Sequence, residues 1–140
     1  MRICILLTLG LLLSVGLSAC SGSKAAQQEP ADGETEETET LSVDAFMRRL
    51  GAEGVFYTPE GPARGDISGV NGQRFRLNNR DVVDVYALAT ETRARDEANS
   101  LVMRLSRFDI HQRSNLVVIR RTQQDPSVSG ALRALLGPRL

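Results

Sequence analysis

His111 is the only histidine in the chain, so any Ser-His-Asp arrangement would have to be built on it. Asp109 lies two residues before it in an extended run and would share its face, and Ser114 follows within the same hairpin. No G-x-S-x-G turn occurs to raise a serine above a sheet. The spacing reads as a half-exposed strand histidine, not a base. A metal centre is also poorly supplied. With one histidine, only a carboxylate-oxygen site remains, and the densest acidic run, around Glu34 to Glu39, lacks the glycine and spacing of a calcium loop. Gly65, Gly69 and Gly72 do not sit between a strand and a helix, as a phosphate-cradling turn requires. Two carboxylates could meet to cleave a glycosidic bond, but nothing singles out a pair. No catalytic residue, cofactor or metal is therefore expected.

Arginine is the residue class with most to offer. Residues 42–140 carry fifteen arginines, no lysine and eleven carboxylates, a net charge of +4. Arg74 and Arg76 alternate on one predicted strand and so point to one side. Arg120 and Arg121 end another strand, and Arg80 and Arg113 lie at turns. Guanidinium groups gathered on a sheet face or rim can bind carboxylates or phosphates bidentately. The plain alternative is a solvated face with interspersed carboxylates. A nucleic-acid partner is not expected, since a chain without tryptophan and with few aromatics lacks stacking platforms.

The remaining chemistry lies at the N-terminus. Arg2 precedes an apolar run from Ile3 to Val15, followed by Leu17-Ser18-Ala19-Cys20. This pattern resembles the lipobox of bacterial lipoproteins. The resemblance implies a signal peptide over residues 1–19, cleavage before Cys20, a diacylglyceryl group on its thiol and a further acyl chain on its amine. Several chains exceed what stable membrane anchoring needs. A transmembrane helix fits less well: Ile3 to Ala19 is at the short limit for spanning, and Ser21-Gly22-Ser23 follow where basic residues would stop transfer. Cys4 leaves with the signal peptide and Cys20 is consumed by lipid, so the mature domain carries no thiol, disulfide or cysteine metal site. Ser21 stands where aspartate would signal inner-membrane retention. By resemblance, the outer membrane is then the default in a two-membrane cell, and the outer face of the plasma membrane in a one-membrane cell.

The elements that must position the arginines follow the lipobox. Residues 20–41 are polar, with Lys24 against six carboxylates, and read as a disordered, self-repelling tether. A single small α+β domain is expected over residues 42–140. Ser42 caps a first helix with Val43, Phe46, Met47 and Leu50 on one side, and Gly51 can stop it. Val55 to Thr58 reads as a short strand. A long loop punctuated by Pro59, Gly61, Pro62, Gly65, Gly69 and Gly72 follows. Gln73 to Leu77 and Val82 to Leu88 form a hairpin around Asn78 and Asn79. Thr90 caps a second helix with Ala94, Ala98, Leu101, Val102 and Leu105 as its buried stripe. Phe108 to Gln112 and Leu116 to Arg121 pair around Ser114. Asp125-Pro126 opens a last helix that Gly137-Pro138 ends. The order is α-β-β-β-α-β-β-α, with a mainly antiparallel sheet and helices expected on one face.

The segments Val82 to Tyr86, Glu91 to Leu105, Asn115 to Ile119 and Asp125 to Pro138, with Gly72-Gln73 entering the preceding strand, together resemble a group of small uncharacterised bacterial lipoproteins. The chain departs from them in a short loop before Phe108 and in His111 and Gln112, which stand where aromatics are usual. The resemblance implies fold and location; the group has no established activity to carry over. The expected function is a non-enzymatic envelope module. It would bind an envelope protein or anionic envelope polymer through a sheet face or through the glycine-rich loop Glu60 to Gly72. An envelope hydrolase or accessory subunit using carboxylates or His111 is the alternative, and a purely structural lipoprotein a third reading.

Overall fold

The computed structural model describes residues 40–140. The expected signal peptide, Cys20 and the expected tether up to residue 39 lie outside the described residues. Side-chain caps set the three helices. Ser42 accepts from the Ala45 amide at 3.1 Å and opens α1, Val43–Ala52. Thr90 accepts from the Arg93 amide at 3.2 Å and opens α2, Glu91–Arg104. Asp125 accepts from the Ser127 amide at 2.9 Å and opens α3, Pro126–Leu136, with the proline in its first turn. Gly51 does not stop α1, which runs on to Ala52; the left-handed residue after it is Gly54. Gly137, at φ +86°, does end α3.

Five strands form one antiparallel sheet: β1, Tyr57–Pro62; β2, Gly72–Leu77; β3, Asp81–Ala87; β4, Asp109–Arg113; and β5, Leu116–Arg120. Their spatial order is β1-β2-β3-β5-β4. The turn between β2 and β3 rests on Asn78 and Asn79, both left-handed, as the sequence suggested. Ser114, at φ +50°, serves the two-residue turn between β4 and β5. The predicted class, α+β, and the predicted element order are the ones observed.

Two expectations need correction. The first strand lies later than Val55 to Thr58, and it takes Pro59, Gly61 and Pro62 from the predicted loop. Prolines are tolerated there because β1 is an edge strand, where an outward position needs no ladder donor. The register shifts between Pro59 and Gly61, a bulge that bends the edge. Val55 is instead buried among α1, α3 and sheet residues.

The second correction concerns layering. The helices do not share one face. Phe46, Met47 and Leu50 of α1 and Val128, Leu132 and Leu136 of α3 pack with Phe75, Leu77, Val83, Val85, Leu116 and Val118. Ala94, Ala98 and Leu101 of α2 pack with Tyr86, Ile110, Val117 and Ile119. Alternate residues of β5 thus enter two separate cores. The cause is visible in β5 itself: Leu116-Val117-Val118-Ile119 is apolar at every position, the pattern of a strand covered on both sides.

Leu41, one residue before the expected boundary, already belongs to the core. Leu41 is buried, and Asn115 clamps it. The Leu41 amide donates to Asn115 Oδ1 at 2.7 Å, and Asn115 Nδ2 donates to the carbonyls of Leu41 and Leu88, both at 3.1 Å. Asn115→Ala removes all three bonds from buried groups and should lower stability by about 2 kcal/mol. A urea titration of the full chain in detergent micelles measures this; an unchanged midpoint would mean water replaces the amide. A second prediction concerns acid. The Ser127 and Asn78 hydrogen bonds hold the Asp125 carboxyl down at about 2, against an ordinary 3.8. The cap therefore contributes fully above pH 3.8, and its contribution fades as pH falls toward 2. The stability gap between the wild type and Asp125→Ala should narrow over that window in unfolding curves.

Candidate functional site: an arginine-lined concavity

α2 packs over β4 and β5. On the same face, β2 and the first half of β3 have no helix above them. Arg74 and Arg76 on β2 and Val82 and Asp84 on β3 point to this open half, since Phe75 and Val83 between them face the other core. Glu60 of the bulged edge, Arg64 of the following loop, Phe108, Arg121 and Thr122 complete a concavity of about 320 Å³.

The floor is a fixed ionic lattice. Asp84 has no exposed surface. Its Oδ1 accepts from Arg74 Nε at 2.7 Å, and its Oδ2 accepts from Arg74 Nη2 at 2.8 Å and Arg121 Nε at 2.7 Å. The Asp84 hydrogen bond raises the Arg74 pKa above its ordinary value. Arg121 Nη2 also pairs with Asp66, whose Oδ2 accepts from the buried Tyr86 hydroxyl at 3.2 Å. Burial pushes the Tyr86 phenol up. Arg121 further lies over the Phe108 ring, 4.9 Å from its centroid. Through Asp66 and the buried Ile67, the glycine-rich loop is held against the sheet.

The rim is looser. Arg76 Nε donates to Glu60 at 2.6 Å, but the Arg76 side chain is 44% exposed. Such a pair contributes little and exchanges readily for a better acceptor. Arg64 is exposed and has no partner among the described residues. The concavity thus offers two available guanidinium groups above two committed ones. That is an arrangement for holding an anionic group, with both deep carboxylates already occupied by arginines.

Of the four arginines expected at a surface, the structure gathers Arg74, Arg76 and Arg121 and excludes Arg120. Neighbours on an extended chain point to opposite faces, so Arg120 enters the α1/α3 side, where it is 2% exposed. There it pairs with fully buried Asp81 and donates to the Thr122 carbonyl at 3.1 Å, the Asp125 carbonyl at 2.8 Å and Ser129 Oγ. Arg120 is a structural residue.

The chain matches no protein-family model, no curated protein and no solved structure. The site is therefore read from its own geometry.

His111 also departs from expectation. It is 5% exposed, not half-exposed. It shares a face with Asp109 as predicted, but Ser114 lies at the far end of β4, and the serine brought near is Ser129 of α3. The Nδ1–H donates to the Gly137 carbonyl at 3.2 Å, since a carbonyl can only accept. Burial lowers its pKa, outweighing the Gly137 and Pro138 carbonyls and Asp109, which raise it. Sequence reasoning missed Arg64, Asp84, Asp66 and Phe108. Asp84 carried a signal, being an acid inside an apolar strand that a hairpin pairs with the strand of Arg74 and Arg76. Arg64 carried none, because its position depends on the path of an irregular loop.

Arg120 and Arg76 should respond oppositely to truncation. Arg120→Ala strands buried Asp81 and should cost roughly 3–5 kcal/mol. Arg76→Ala should stay within about 0.5 kcal/mol of wild type. Equal losses in chemical denaturation would contradict this division of roles.

Proposed function

We propose that this chain is a bacterial lipoprotein, anchored through lipid on Cys20, whose folded domain is a non-enzymatic envelope interaction module. Its binding surface is the arginine-lined concavity, and its partner presents carboxylate or phosphate groups. One observation carries the reading: half of a sheet face is left without a helix, and Arg64 and Arg76 stand over it with guanidinium groups available. A site of about 320 Å³ takes one acidic side chain or polymer unit, not a long segment. The lipobox motif supports the anchor, and the absence of aspartate at residue 21 supports outer-membrane placement in a two-membrane cell. In a one-membrane cell the same anchor gives the outer face of the plasma membrane.

The test is crosslinking in cells, with captured material identified by mass spectrometry and Cys20→Ser as the unanchored control. The surface variant is Arg64→Ala/Arg76→Ala. Arg74 is avoided because its loss would leave buried Asp84 with Arg121 alone. We expect capture of one acidic envelope protein or polymer, reduced tenfold or more in the double variant with folding unchanged. Capture insensitive to both arginines would overturn the assignment of the surface. Retention of Cys20→Ser in the membrane fraction would overturn the anchor.

A further inference from the structure

A second concavity lies on the opposite face of the sheet, where β4, α3 and the C-terminal tail meet. It has a volume of about 150 Å³ and is lined by Asp109, His111, Arg120, Ser129, Arg133 and Arg139. Three elements aim these groups inward. Asp109 and His111 are two apart on β4, Ser129 and Arg133 are four apart on α3, and Arg139 reaches in from the tail. Arg120 stands across from Asp109 on β5.

Three guanidinium groups here meet one carboxylate. Asp109 is held from both sides, by Arg139 Nη1 at 3.0 Å and by Arg120 Nη1 at 3.8 Å. Donors remain beyond that. Arg133 has no partner among the described residues, and Arg139 uses only one of its nitrogens. Ser129 Oγ accepts from Arg120, which leaves its own proton for a ligand. His111 Nδ1 is engaged by Gly137, and the Pro138 carbonyl also lies against the ring.

We propose that this pocket binds a small tetrahedral oxyanion, a phosphate or phosphate monoester, through Arg133, Arg139, the Ser129 hydroxyl and the His111 ring. The size selects the class. About 150 Å³ is half the lower end, roughly 300 Å³, of pockets that take drug-sized ligands, and it admits one compact group. The donor directions select it further. They come from a helix, a strand and a tail, and a phosphate presents three strong acceptor oxygens in different directions. His111 is the responsive member. Burial and Arg120 favour its neutral form, against Asp109 and the Gly137 and Pro138 carbonyls. Arg133 and Arg139 also face it and oppose protonation. A bound dianion reverses that balance, and the imidazolium Nε2–H then donates to it. Binding takes up a proton, so affinity rises as pH falls through the histidine range.

This site is independent of the concavity bearing Arg64 and Arg76, which lies on the other face. Its test uses the single histidine as a unique probe. The full chain, labelled with ring-¹³C histidine and held in detergent micelles, is titrated with pH in the presence and absence of sulfate, which stays a dianion throughout. We expect sulfate to move the His111 titration to higher pH and to bind more tightly at pH 6 than at pH 8. In Arg133→Gln, whose exposed side chain is not needed for folding, affinity should fall tenfold or more. Superimposable His111 titrations with and without saturating sulfate would overturn the proposal. So would an Arg133→Gln response equal to wild type. Inorganic phosphate and glycerol phosphate then separate the sources. Binding of phosphate alone identifies a free ion, and binding of the ester identifies a lipid- or polymer-borne group.

Discussion

Arg120 and Asp81 form a pair that water does not reach, and the rest of the structure is arranged around it. Taking both charges out of water costs several kcal/mol per ion, so such a pair persists only where every remaining donor and acceptor is met. Most are met by the segment that joins β5 to α3. The Gln124 amide donates to Asp81 Oδ1 at 2.7 Å, and Arg120 donates to the carbonyls of Thr122 and Asp125. The first turn of α3 is thereby fixed against the start of β3. Thr122 extends the same seam, with its Oγ1 accepting from the Val82 amide at 2.8 Å. Once Arg120 is committed to the α3 side, strand geometry sends Arg121 to the other, where it finds Asp84 and Asp66. One wall of each concavity therefore descends from the same two consecutive residues.

Much of this architecture was legible in the sequence because its signals are local. Ser42, Thr90 and Asp125 are caps that act on the next turn of chain, and all three helices start where those residues place them. Asn78 and Asn79 tolerate left-handed backbone, which marked the β2–β3 turn. The pairing of Arg74 with Arg76 on one face followed from strand alternation alone. The same alternation keeps Arg120 and Arg121 from sharing a face while both are extended. The layering follows a related rule. A continuously apolar β5 requires cover on both sides, and α2 supplies the second layer. Other features depend on distant partners. The loop between β1 and β2 looked like free surface, yet Ile67 is buried beneath it and Asp66 meets residues 20 and 55 positions away.

Charge counting overstated the surface available for binding. Arg74, Arg120 and Arg121 spend their guanidinium groups on Asp84, Asp81 and Asp66, inside or at the edge of the fold. Their contribution is to hold strands and a loop in place, which a net charge of +4 does not reveal. Within the two concavities the arginines left to meet a ligand are fewer: Arg64 and Arg76 on one face, Arg133 and Arg139 on the other. A small domain can afford buried arginines only where acids are buried with them, so the committed and available groups are told apart by their partners, not by their number.

The clamp on Leu41 fixes where the sites lie relative to the start of the described chain. Asn115 sits at the β4–β5 turn and grips the point where the preceding segment joins the domain. β5 then runs five residues from Leu116 to Arg120, roughly 17 Å at about 3.3 Å per residue, before Arg121 reaches the concavity. Arg120, Asp109 and Arg139 lie at that same far end. Both groups of available arginines thus stand at the end of the sheet opposite the attachment point.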